Sequence, residues 1–120
     1  MVVRFVAATE YGTPAGKLAD AELHFAEGPL AGLKLIGFAV WERRSPNGRR
    51  NVTFPARTYS VNGERRSFAL LRPITDVVEA QDRIRDLILE AFAAFEAARE
   101  LGQTDGEVFG FSVPAGAVPA

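Results

Sequence analysis

The chain has 120 residues, 48% of them hydrophobic, enough for one domain with one core and too few for two ordinary ones. It has no cysteine, which excludes disulfides, thiolate metal sites and a cysteine nucleophile together. The formal net charge is only −1, yet nine basic and two acidic residues fall between Lys34 and Arg72, so that segment carries +7 and the remainder −8.

In chain order, "VVRFVAAT" (2 to 9) is rich in β-branched and aromatic residues and reads as a strand, closed by the turn signal "YGTPAG". Arg4 and Glu10 interrupt what a secretory leader keeps apolar, and no run of about 18 uncharged apolar residues occurs. The expectation is a soluble, cytoplasmic protein with no membrane partner. "KLADAELHFA" (17 to 26) alternates and ends at the breaker Gly28-Pro29. A third strand covers 33 to 42, with Ile36, Phe38 and Val40 facing one way and Leu35, Ala39 and Trp41 the other; two apolar faces predict a central position.

Ser45-Pro46-Asn47-Gly48 supplies turn chemistry, because Asn and Gly tolerate the positive φ of tight hairpins. The chain returns through "RNVTF" (50 to 54), and Pro55, lacking an N–H, marks an edge or a strand end. A second Asn-Gly, Asn62-Gly63, joins "FPARTYSV" to "RRSFALLR" as another hairpin, bringing the predicted strands to five.

After Pro73, Asp76 and Glu79 have the spacing of a capping box. Val77, Ala80, Ile84, Leu87, Ile88, Ala91, Phe92, Phe95 and Ala98 then form one helical stripe, stopped by Gly102 after Leu101. Burying its four larger aliphatics and two phenylalanines contributes on the order of ten kcal/mol before entropy, at about 1.5 to 3 each, so the helix must lie on the sheet. The predicted fold is α+β: a small antiparallel sheet of about five strands carrying one C-terminal amphipathic helix. Residues 1 to 102 form the domain. Residues 103 to 120, rich in Gly, Pro and Ala, read as a flexible tail in which "EVFGFSV" can add an edge strand.

From the third strand onward the chain resembles the stage V sporulation protein G (SpoVG) family, and the order of motifs carries the likeness. The counterparts of that family's elements are Val40-Trp41-Glu42, Asn47-Gly48, Val52-Thr53-Phe54-Pro55-Ala56-Arg57, Asn62-Gly63-Glu64-Arg65-Arg66, Arg72-Pro73-Ile74 and the helix from Ile84 to Phe92. The likeness covers roughly residues 2 to 95 and is strong from 38 to 92. It implies a bacterial, homodimeric, sequence-selective DNA-binding regulator, with RNA binding also attributed to the family. The family's basic pair after its Met-Pro-Ser element is Arg57-Thr58 here, so one basic position of the two is kept, and Gly37 stands where many members have an aspartate. The first hairpin loop is longer and richer in arginine.

Arg43, Arg44, Arg49, Arg50 and Arg57, extended by Arg65 and Arg66, are the predicted phosphate contacts. A guanidinium stays charged and presents a planar donor fork to phosphate oxygens or a guanine edge. Contacts to four to six phosphates imply a slope of log affinity against log salt near −4 to −5, from about −0.9 per phosphate. The helix segment from Asp76 to Glu100 has seven acids against three arginines, so the hairpins and not the helix should face the nucleic acid. Trp41, Phe54 and Phe68 are expected in the core; Tyr59, beside a turn, is the candidate for base stacking. His24 is the only histidine, which makes a metal site or a catalytic triad a poor fit, and no cofactor or catalytic residue is predicted. The favoured reading is a non-enzymatic regulator that binds duplex DNA as a homodimer. Two alternatives stand beside it: a protein-interaction or oligomerisation module whose basic hairpins meet acidic partners, and a single-strand or RNA binder.

Overall fold

Alternation along the first two strands builds the core. In β1 (Val2–Ala7) Val3 and Phe5 are buried, and in β2 (Lys17–His24) Ala19, Ala21 and Leu23 are buried, while the residues between them face outward. The antiparallel register sets Val3 opposite Leu23 and Phe5 opposite Ala21, so both inward rows share one face. The computed structural model describes residues 1–7, 14–44, 46, 48–103 and 108–112, with the backbone alone at 108 and 109.

β3 (Lys34–Arg44) and β4 (Arg50–Thr53) extend the sheet on one side and β7 (Val108–Ser112) on the other, giving the antiparallel order β4-β3-β2-β1-β7. Among the described residues, β5 (Ala56–Val61) and β6 (Glu64–Ala69) pair only with each other, as a separate two-stranded sheet. The helix α1 (Glu79–Glu100) lies across one face of the larger sheet and buries Ile88, Ala91, Phe92, Phe95 and Ala98. Phe5 sits between Phe92 and Phe95, with ring centroids 5.5 Å from each, one edge-on and one stacked. The architecture is the expected α+β arrangement of sheet and helix.

Several expectations are revised. The described residues hold seven strands, because the chain breaks at Phe54-Pro55 and leaves the larger sheet, whose fifth member is instead the edge strand from "EVFGFSV". β3 has neighbours on both sides, but the middle strand is β2. The simple alternation in β3 fails at Gly37. Ala21 pairs with Phe38 but Leu23 pairs with Leu35, so β3 carries an extra residue there, a bulge with Gly37 at φ +109. Leu35, Phe38 and Val40 therefore pack toward the helix side, and Ile36 is exposed on the other face.

The helix begins later than the apolar stripe suggests. Val78 is its N-cap, no side chain caps it, and Val77 is exposed, so the Asp76/Glu79 pair forms no capping box. The side-chain amide of Gln81 instead donates to the Leu71 carbonyl at 3.0 Å, tying the first turn to the incoming chain. The C-terminus follows the sequence reading: Gly102, at φ +69, donates to Arg99 and Gln103 donates to Ala98, the paired bonds of a Schellman cap. Parts of the predicted turns at 11–16 and 45–48, Asn47 included, and residues 104–107 and 113–120 of the predicted tail lie outside the described residues.

Candidate nucleic-acid interface

The second hairpin forms as its turn chemistry dictates. Asn62 and Gly63 both take positive φ, +51 and +82, and Val61 pairs with Glu64, so a two-residue turn closes β5 onto β6. The resulting ribbon stands away from the core: every residue from 56 to 68 is exposed. Its base is held by Pro55, which is buried and packs so closely on Gly37 that a Cβ there would lie 2.8 Å from the Pro55 Cβ. The Leu70 N–H also donates to the Pro55 carbonyl at 2.9 Å.

Strand alternation divides the ribbon's side chains. Arg57, Tyr59 and Val61 share a face with Glu64, Arg66 and Phe68; Thr58, Ser60, Arg65 and Ser67 lie on the other. On the first face, cross-strand pairing sets Arg57 opposite Phe68 and Tyr59 opposite Arg66, and the two rings stand 5.7 Å apart at 59°. Phe68 is 39% exposed, so the expectation that it joins the core is corrected; the sheet that would have covered it is a free ribbon. Arg65 and Arg66, consecutive in sequence, point to opposite faces. Arg66 pairs with Glu64 at 3.2 Å, both ends well exposed, whereas no carboxylate among the described residues pairs with Arg57 or Arg65.

The other predicted arginines gather at the end of the β3–β4 hairpin. Arg43 has no carboxylate partner among the described residues, and Arg44 donates to the Gly48 carbonyl at 2.8 Å. Arg49 Nη1 meets Asp86 Oδ1 at 2.6 Å, and Arg50 Nη2 meets Glu96 Oε2 at 3.1 Å. The Arg50 guanidinium also stands 5.5 Å from the centre of the Phe92 ring. The acidic side of α1 is thus not turned away from every arginine: two of its carboxylates hold this hairpin. Gly37, at the ribbon's base, lies seven positions along β3 from Arg44, or about 23 Å of extended strand. The eight predicted contact residues therefore form two groups, a ribbon group of Arg57, Tyr59, Arg65 and Arg66 and a tip group of Arg43, Arg44, Arg49 and Arg50.

The remaining candidates are placed with the sheet. Trp41 is half-buried on the outer face, where its Nε1–H donates to Thr53 Oγ1 at 2.8 Å, so the expectation that it joins the core is corrected as well. Phe54 packs edge-on against Phe38 at 5.2 Å under the Arg85 guanidinium. His24 Nε2 lies 2.8 Å from Glu22 Oε1, with Lys34 Nζ at 3.4 Å from the same oxygen. The hydrogen bond from His24, and then the Lys34 ammonium, hold the Glu22 carboxyl below its ordinary range against the opposing effect of burial. No group of three or more His, Asp or Glu suited to a metal ion occurs among the described residues, and no helix there is long and apolar enough to cross a membrane.

Asp86 and Glu96 were not candidates from sequence, since each is separated from its arginine by more than 35 positions and belongs to a helix face that reads as solvated. The one available signal was the opposition between a +7 segment and a −8 remainder. Comparison of the chain with models of protein families, with curated proteins and with solved structures finds no match.

Proposed function

We propose that the protein is a non-enzymatic nucleic-acid-binding regulator that engages the phosphate backbone through the β5–β6 ribbon. The observation that carries this reading is a free-standing ribbon, exposed along its length, that bears Arg57 beside the Tyr59 and Phe68 rings and Arg65 on the opposite face, neither with a carboxylate partner among the described residues. A two-stranded ribbon is narrow enough to enter a major groove, and its arginines supply the charge that phosphates require. Arg66 joins them, because its exposed pair with Glu64 is of a kind worth only about 0–1 kcal/mol. Arg43 and Arg44 at the tip extend the contact. The resemblance to the stage V sporulation protein G family supports duplex DNA as the ligand, with RNA as the other nucleic acid it implies. Tyr59 is 41% exposed, which supports its reading as a residue that can stack on an unpaired base.

The same ribbon motivates a homodimer. An isolated two-stranded ribbon is marginal in water, and among the described residues β5 and β6 each keep one edge of unpaired backbone groups. A second copy can satisfy those edges and bring two ribbons to one duplex.

Five arginines, Arg43, Arg44, Arg57, Arg65 and Arg66, give a salt slope near −4.5 per protomer, or roughly a 500-fold loss of affinity between about 50 and 200 mM salt. The deciding variant is Arg57→Glu/Arg65→Glu, whose circular dichroism and melting should match wild type. Loss of duplex binding is the expected result, and unchanged binding overturns the proposal. If Tyr59→Ala weakens single-strand binding alone, the single-strand reading replaces the duplex one. Tight capture of an acidic protein with no nucleic-acid affinity at low salt leaves the protein-interaction reading.

A further inference from the structure

Between the β3–β4 hairpin and α1 runs an open groove of about 540 Å³, lined by Arg44, Arg49 and Arg50 on one side and Asp86, Phe92 and Glu96 on the other. We infer that this groove is a second phosphate-binding surface, occupied in the free protein by the Asp86 and Glu96 carboxylates in the place of phosphates. The inference rests on the nucleic-acid reading above and adds to it the residues that regulate the affinity.

A carboxylate presents to a guanidinium the same feature that a phosphate does, an anionic oxygen that accepts its N–H groups. Arg49 and Arg50 are therefore already aimed at anions, at 2.6 and 3.1 Å, and the Phe92 ring supports one face of Arg50. The two acids lie ten residues apart on α1, about 15 Å along its axis, so the helix offers two separate anion positions. Neither pair is locked in. The side chains of Arg49 and Asp86 are 45% and 59% exposed, and those of Arg50 and Glu96 24% and 43%. Exposed pairs of this kind shift an equilibrium by no more than about five-fold each. A polyanion already held by the ribbon supplies phosphates at high local concentration and can exchange with them. The carboxylate-filled groove then acts as a tax on binding: each guanidinium reaches a phosphate only by giving up a carboxylate, which is left near the polyanion as a like charge.

The test uses the full chain and a duplex of about 25 base pairs, titrated at several salt concentrations. Asp86→Asn/Glu96→Gln should bind about three- to twenty-five-fold more tightly than wild type, with a salt slope steeper by up to about 1.8, from two further phosphates at about 0.9 each. Adding Arg49→Gln/Arg50→Gln to that variant should cancel the gain, which shows that it passes through those two arginines. Glu79→Gln/Glu100→Gln removes the same charge from the helix at residues that make no ion pair among the described residues, and should give a distinctly smaller gain. An equal gain from this control overturns the inference, because bulk charge then accounts for it. Binding by wild type with no gain in Asp86→Asn/Glu96→Gln overturns the inference alone. Absence of binding by wild type and by every variant at about 50 mM salt overturns the nucleic-acid reading and this inference with it.

Discussion

The contact between Gly37 and Pro55 couples the sheet to the ribbon, and Gly37→Ala tests it. The residue sits at φ +109, outside the region that alanine adopts comfortably, at a cost of about 1–3 kcal/mol. The new methyl group would also lie 2.8 Å from the Pro55 Cβ and 3.2 Å from its Cα, and neither atom belongs to a flexible chain end. Forcing an extra carbon into such a contact costs about another 1–3 kcal/mol. The sum, about 2–6 kcal/mol, is a large part of the roughly 6–18 expected for a domain of this length. Urea denaturation followed by circular dichroism should show the midpoint falling by roughly 1–3 M, with the slope unchanged. Pro55→Gly in the same background separates the two causes: it removes the nearest steric partner, the Pro55 Cβ, and leaves the Cα approach and the dihedral cost, so the double variant should recover up to about 1–3 kcal/mol relative to additivity. Gly37→Ala within about 0.5 kcal/mol of wild type would refute the bulge and its contact with Pro55.

Phe95→Ala should cost about 3–5 kcal/mol, because this fully buried ring stacks on Phe5 and contacts Phe92; melting should occur about 12–20 °C lower. Gly102→Ala places a Cβ at φ +69 in the helix cap and should cost about 1 kcal/mol by the same assay. The Glu22 carboxyl titrates below its ordinary value when folded, so its contribution is present above about pH 4.5 and is lost as pH falls through the depressed value; Glu22→Gln should flatten stability against pH there by no more than about 1 kcal/mol. At tens of micromolar, sedimentation equilibrium should give twice the chain mass, and a monomer removes the ribbon-paired homodimer.

The elements that could be read from sequence are those whose signal is local. The helical stripe from Ile84 to Ala98 repeats every 3.6 residues, and Asn62-Gly63 needs only its own dihedrals to fix a hairpin. What escaped reading depends on partners far along the chain. The Gly37 bulge makes sense only with Pro55 packed on it, eighteen positions later, and it reverses the side on which Ile36 lies. The absence of a helix cap at Asp76 has the same origin: the first turn is held through Gln81 by the carbonyl of Leu71, so the local cap is dispensable.

Charge counted along a chain differs from charge gathered in space, and the candidate site shows how. Alternation in a strand sends Arg65 and Arg66 to opposite faces although they are neighbours, while a short hairpin brings Arg57 and Arg66 to one face although nine positions separate them. At the other hairpin the deciding factor is the helix that covers the sheet. Its inward stripe must be apolar to bury Phe92 and Phe95, so its acids are confined to the flanks, and one flank runs past the strand that begins at Arg50. Asp86 and Glu96 on that flank meet the nearest guanidinium groups, which removes Arg49 and Arg50 from the freely available charge. The ribbon escapes this compensation because it leaves the sheet at Pro55, and among the described residues no carboxylate of α1 pairs with its arginines. Its separation from the core, which costs it the stability that packing provides, is what leaves Arg57 and Arg65 exposed and without a carboxylate partner among the described residues.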